Sequence, residues 1–168
     1  VYERFARTLA YCTAYVCKFF QELGFQLWDL KWEAAVDGGR VFVVDTIDPD
    51  SIRVTGSLKL NGKWCHLHFN KQSVRDYYKL IHESWFKAIN EAKKLAQKDP
   101  AGRSFMEVYR EGVENGRWPG IPEYDPEFAR LQSRKYAMFV EPLLHPERAA
   151  QIKKETKELM LAEIDYYK

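Results

Sequence analysis

The chain is poor in the residues that mark extracellular or metal-ligating design. Its 168 residues hold only three cysteines, Cys12, Cys17 and Cys65, with neither a paired framework nor metal-ligand spacing. An odd, unpaired set points to free thiols and to a reducing, cytoplasmic setting. No apolar run reaches the roughly 20 residues that span a bilayer, and the mean hydropathy is −0.49. No membrane segment is expected, and no signal-like segment opens the chain. The nine glycines never gather into a phosphate-cradling loop. Charge of one sign is not in surplus, since 26 Lys and Arg against 24 Asp and Glu leave a net charge of +2. That balance argues against a general nucleic-acid binder. Internal repeats and low-complexity stretches are also missing.

What the chain does have is material for a core, with 46% hydrophobic and 15% aromatic residues. Residues 1–168 are one domain's worth of chain. It begins at Val1, without Met, and enters a helical pattern at once. It therefore reads as a piece: a processed product, an excised domain or a second half. Apolar residues at Phe5, Leu9, Cys12, Val16, Phe19 and Leu23 predict an amphipathic helix over 3–24, with Gly24 at its C-cap. Two strands at 53–58 and 63–69 flank the hairpin signal Asn61-Gly62. Val74, Tyr78, Ile81, Trp85, Ile89, Ala92 and Ala96 predict one long helix over 72–97, stopped at Asp99-Pro100-Ala101-Gly102. Further helices are expected at 103–115, 125–143 and 146–167. The last two are separated at Pro142 to Pro146, with Pro146 at the first position of the final helix. Strands lie early and helices late, so the class is α+β, an antiparallel sheet flanked by long helices.

The stretch from Gln26 to Arg53 organises the rest. It predicts two strands joined at Gly38-Gly39, then an acidic loop, DPDSIR, ending on Arg53. Alternation places Trp28, Leu30 and Trp32 on one face and Asp29, Lys31 and Glu33 on the other. The return strand, 40–46, delivers Asp45, and Asp48 and Asp50 follow. Two readings stand for the charged face. It is a solvated face with cross-strand ion pairs, or it is a site for a hard cation. Mg²⁺ takes one or two carboxylates plus substrate phosphates, and a Lys between acids can hold a phosphate oxygen. For Glu33 and Asp45 to share a metal they must share a face. Opposite residues in the hairpin must then have an even sum, as Lys31 opposite Asp45 does, and the loop must be odd in length and centred on Gly38. In the DPDSIR loop, Pro49 stiffens the chain, and Asp48 or Ser51 can bond nearby backbone amides. Lys71 and Arg75 stand four apart at a helix start, where they are either a solvated first turn or an anion site. His66 and His68 share a strand face, but with no third ligand evident they read as solvent-facing rather than metal-binding.

LWDLKWEAA, VVDTIDPDSIR and NKQSVRDYY together resemble the C-terminal part of the SAICAR synthetase (phosphoribosylaminoimidazole-succinocarboxamide synthase) family. That family carries a strand of alternating hydrophobic residues with Asp, Lys and Glu. An Asp-Glu-x-x-Pro-Asp-x-x-Arg loop and an Asp-Lys-x-x-x-Arg helix start follow. The order and the 12-residue step from Glu33 to Asp45 match. IPEYDPEFARLQSRKYAMFVEPL is similar to the family's late helix, in which Pro is followed by Ser-x-x-Tyr. The resemblance covers most of this chain but only part of the family's usual length.

The resemblance implies a SAICAR synthase-like, ATP-grasp-like C-terminal part. Its implied cofactors are ATP and Mg²⁺, and its substrates carboxyaminoimidazole ribonucleotide and L-aspartate. Glu33 and Asp45 match the family's Mg²⁺-binding acids, and Lys31 the lysine facing the nucleotide phosphates. Asp50 and Arg53 match residues that meet the ribonucleotide base and its 5′-phosphate. Lys71 and Arg75 match anion contacts. Asp29 has no implied role and reads equally as a structural ion pair. The family's N-terminal, nucleotide-covering part is not in this chain, so an N-terminal segment of the same protein is an expected partner, together with a homo-oligomer. The chain alone is expected to be an incomplete ligase.

Three departures matter: Thr46 where a second acid is common, Asn70 where Asp is usual, and Ala34-Ala35 where Phe-Gly stands. They keep open a non-catalytic binding or assembly module. A metal-dependent nuclease is the third reading, disfavoured by the order of the acids and Lys and by the weak net charge.

Overall fold

The computed structural model describes residues 2–44 and 46–168. The chain divides into two units, Val1–Ser73 with Pro126–Lys168, and Val74–Asp125.

The first unit is α+β. Helix α1 (Tyr2–Glu22) leads into strand β1 (Phe25–Leu30), a short hairpin of β2 (Ala34–Asp37) and β3 (Arg40–Val43), and a longer one of β4 (Ile52–Leu60) and β5 (Lys63–His68). Strand β4 is the centre of an antiparallel sheet ordered β1-β4-β5, and β2 with β3 forms a separate ribbon. The start of α2 (Lys71–Ile81) follows β5. Helices α5 (Pro126–Leu144) and α6 (Ala149–Tyr166), joined by a 3₁₀ turn at Pro146–Arg148, complete the unit.

Helix α6 packs on both α5 and β4. Gly56 in β4 permits this closeness, because a Cβ there would lie 2.7 Å from Met160 Sδ and 2.9 Å from Phe69 Cε2. Phe20, Phe25, Phe69 and Phe139 meet in a buried aromatic cluster, Phe25 contacting each of the other three. Each such ring contributes about 1.5–3 kcal/mol when fully buried.

The second unit is helical: the rest of α2, then α3 (Glu83–Ala96) and α4 (Phe105–Glu114). Its core is Ala88, Ala92, Val108, Tyr109 and Trp118. Ser104 starts α4 with a capping box, its hydroxyl accepting from the Glu107 amide while the Glu107 carboxylate accepts from the Ser104 amide.

The fold corrects four expectations. First, strict alternation over 28–33 fails. Strand β1 ends at Leu30, and its pairing with β4 slips by one residue between Leu27 and Asp29. The bulge turns Trp28 outward, 56% exposed, where its indole N–H donates to Thr55 Oγ1 at 2.8 Å. The apolar side is built instead from Phe25, Leu27, Leu30 and Trp32.

Second, the Gly38-Gly39 connection is a two-residue turn, with Asp37 opposite Arg40 and Ala34 opposite Val43, an odd sum. Both glycines have positive φ, 52° and 76°. That is the signature of a type I′ turn, whose twist suits a tight hairpin. The odd-length bulged turn is therefore ruled out. Asp45, the proposed partner of Glu33, lies outside the described residues.

Third, the helix expected over 72–97 breaks at His82, whose backbone leaves the helical region at φ −117° and ψ 50°. The His82 ring is held there by the Tyr77 hydroxyl, 3.0 Å from Nε2. Fourth, the break expected from Pro142 begins only after Leu144, so Pro142 lies inside the last turn of α5, where it removes one N–H donor from the helix. The Asn61-Gly62 hairpin, the Gly24 helix end and the helix order stand as read.

Candidate active site

The bulge in β1 builds the first part of the site. By skipping Trp28, it sets Asp29 directly opposite Arg53 on β4. The pair meets at 3.0 Å between Asp29 Oδ2 and Arg53 Nη1, with both side chains about half exposed. Bulges next to sites commonly re-aim a side chain in this way. An exposed pair of this kind contributes about 0–1 kcal/mol. It orients Arg53 without holding it against a stronger anion. A guanidinium carries five donors in a fork that suits phosphate.

The DPDSIR loop is a self-bonded turn. Asp48 Oδ1 accepts from the amides of Asp50 at 2.7 Å and Ser51 at 2.9 Å, and Thr46 Oγ1 donates to Asp48 Oδ2 at 2.6 Å. The Thr46 hydrogen bond, joined by those of the Asp50 and Ser51 amides, holds the Asp48 carboxyl below its ordinary value. The role read for Asp48 as a backbone anchor therefore stands. Thr46, read as a lost acid, is the residue that caps it.

Lys71 comes to the same loop from the start of α2. Its amide donates to the Pro49 carbonyl at 3.3 Å, and its ammonium donates to the Asp50 carbonyl. Asn70, 3% exposed, donates its amide to the Ile52 carbonyl at 2.7 Å. Asp, the family's usual residue there, could not make that bond while ionised.

Lys31 and Glu33 lie between β1 and β2 and form an ion pair with each other. No group of three His, Cys, Asp or Glu poised for a metal occurs among the described residues. Arg75 follows Lys71 one turn later on α2, in the second unit. Three pairs are thus brought together: Asp29 with Arg53, Asp50 with Lys71, and Lys31 with Glu33. His66 bonds Ser57 across the hairpin, Oγ to Nδ1 at 2.7 Å.

Two features escaped the sequence reading. Tyr136 on α5 lies close to the loop. Burial raises its phenol pKa first, and the charges of Asp50 and Asp48 add to the shift. Its signal was the Ser-x-x-Tyr spacing, which carried no site role. Beside it runs an apolar groove of about 690 Å³, lined by Phe19, Phe20, Pro49, Tyr136, Phe139 and Leu143. None of the described helices is long and apolar enough to cross a membrane.

These features fit an enzyme wall that presents cations and carboxylates from a strand, a turn and a helix start. Residues 3–92 match the family model of SAICAR synthetase. This is more than half of the chain, which belongs to the SAICAR synthetase family, a family of ATP-dependent ligases in purine biosynthesis. Comparison with curated proteins and with solved structures returned no match.

Proposed function

We propose that this chain supplies the ribonucleotide-binding wall of an ATP-grasp-like ligase site. The ligase would join L-aspartate to the carboxylate of carboxyaminoimidazole ribonucleotide. The observation that carries the reading is the convergence at the DPDSIR loop: the bulge that sets Arg53 on Asp29, and Lys71 reaching Asp50 from α2.

In this reading Arg53 takes the 5′-phosphate by exchanging its weak pair with Asp29 for two parallel bonds. Asp50 meets the polar base substituents. Lys71 and Arg75 are anion contacts. Lys31 neutralises charge on the transferring phosphoryl group, which needs cations and positioning more than covalent help. The substrate carboxylate takes the γ-phosphoryl group with loss of ADP. The aspartate amine then attacks the acyl carbon, loses a proton and expels phosphate.

Carboxylate oxygens are the donor type that Mg²⁺ prefers, so Glu33 would take a place on the ion, which screens the phosphates when bound; with the odd sum found for β2 and β3, the face rule no longer pairs Asp45 with it. The Lys31–Glu33 ion pair keeps the phosphate-facing cation beside the carboxylate that would face the metal. An N-terminal segment of the same protein would cover the nucleotide, a homo-oligomer is the assembly we assign, and the setting is cytoplasmic.

The test is phosphate release by the full-length protein with ATP·Mg²⁺, the ribonucleotide and aspartate. Release should require all three. A second reading, a non-catalytic binding module, is favoured by Thr46 and Asn70, which serve the loop's own hydrogen bonding instead of supplying acids. Ribonucleotide binding without phosphate release would select it.

A further inference from the structure

Behind the loop lies a charged cluster that the ligase reading does not use. Lys135 of α5 is fully buried and forms an ion pair with Glu163 of α6, which is also buried. Lys135 Nζ also donates to the His68 carbonyl and to Ser73 Oγ, each at 2.8 Å. Ser73 Oγ in turn accepts from Gln132 Nε2 at 2.8 Å and donates to Glu163 Oε1 at 3.3 Å. His68 ends β5, and Ser73 lies in the first turn of α2. Between them stand Phe69, Asn70, Lys71 and Gln72. The cluster thus grips both ends of the segment that anchors the loop: Asn70 on the Ile52 carbonyl, Lys71 on Pro49 and Asp50.

Such a cluster is a poor device for stability. A buried ion pair is often no better than apolar residues of the same volume. This one also leaves Asn70 Oδ1 and Gln132 Oε1 buried without a hydrogen-bond partner among the described residues, and each orphaned acceptor carries a penalty. What directed bonds supply and apolar packing does not is a fixed position for two backbone points.

We infer that Lys135, Glu163, Ser73 and Gln132 are positioning residues, which fix the β5–α2 junction and, through Asn70 and Lys71, the geometry of Asp50 and Arg53. The ligand consequence rests on the proposed function; the mechanical one does not. α5 and α6 then act as the back plate of the ribonucleotide corner, not only as its cover.

The test is Ser73→Ala in the full chain, which cuts the tie to α2 and leaves the Lys135–Glu163 pair in place. In the free protein, amide hydrogen exchange should quicken at Phe69, Lys71 and Ile52, and stay unchanged at the Asn61-Gly62 turn and in α1. Ribonucleotide affinity should fall about tenfold, the scale of one hydrogen bond, while ATP·Mg²⁺ affinity stays. Uniform quickening across the first unit, or none, would overturn the inference. So would equal loss for both ligands. If the parent protein binds no ribonucleotide but the selective quickening is seen, the ligase reading fails and the positioning role stands.

Discussion

The two units solve burial differently. In the first, charge goes inside: Lys135 and Glu163 are buried together, and a chain of directed bonds runs from them to a loop. In the second, charge stays at the surface. Arg103 bridges Asp99 and Glu111, Arg117 pairs with Glu91, and the interior is held by rings. Tyr109 shows the second unit's economy: its hydroxyl accepts from Trp85 Nε1 at 3.0 Å and donates to the Pro119 carbonyl at 2.6 Å. The first unit therefore carries position-setting polar structure where the candidate site is. The second carries neutral packing with ion pairs at its edge, where Glu91, the partner of Arg117, also accepts from the indole N–H of the core Trp118 at 3.1 Å.

That contrast can be broken by substitution. The largest effect is expected for Glu163→Ala, which leaves Lys135 buried without its counter-charge. We expect a loss of about 3–5 kcal/mol in denaturant unfolding, whereas Lys135→Met with Glu163→Leu together should be near neutral in stability. Next comes Gly112→Ala in the second unit. A Cβ there would sit 2.1 Å from Trp118 Cε3, and overpacking of this kind costs about 1–3 kcal/mol, to be read by the same unfolding.

Ser104→Ala removes the capping box of α4 and should cost about 1 kcal/mol. Smallest is Arg103→Ala, an exposed cation whose effect on the melting temperature should shrink as salt is added.

Acid should act in both units through the same sign. Asp48 is held below 3.8 chiefly by Thr46, Asp99 below 3.8 chiefly by Arg103, and Glu107 below 4.5 chiefly by Ser104. Each contributes stability that is present above its ordinary value and lost as pH falls through its lower folded-state value. Thr46→Val should move the loss of order in the DPDSIR loop to higher pH, as followed by the amide signals of Asp50 and Ser51. An unchanged midpoint would mean that Thr46 does not hold Asp48.

Much of this was legible in the sequence. Apolar spacing gave the helix order, Asn61-Gly62 gave the β4–β5 hairpin, and DPDSIR gave a turn anchored by its own side chains. The register of the short hairpin was not legible from the functional argument. Requiring Glu33 and Asp45 to share a face demanded an even sum, but two glycines able to adopt positive φ favoured the tight turn. Alternation in β1 failed at one bulge, which local sequence does not announce, and that bulge is what turns Asp29 toward Arg53.

The buried pair did leave a trace. Glu163 continues the buried stripe Ile152, Thr156, Leu159, and Lys135 stands in the stripe Phe128, Gln132, Met138. Opposite charges at core positions of two consecutive helices are a readable sign of an internal ion pair.

The central claim, that Arg53 is aimed at a ribonucleotide phosphate, is tested most directly by calorimetric titration of Arg53→Lys in the full-length protein. Lys keeps the charge but cannot make two parallel bonds to phosphate. Ribonucleotide binding should weaken by about 1–3 kcal/mol, the scale of a charge-assisted hydrogen bond, with ATP·Mg²⁺ binding unchanged. Equal weakening for both ligands, or none for either, would contradict the account and leave Arg53 as no more than the cross-strand partner of Asp29.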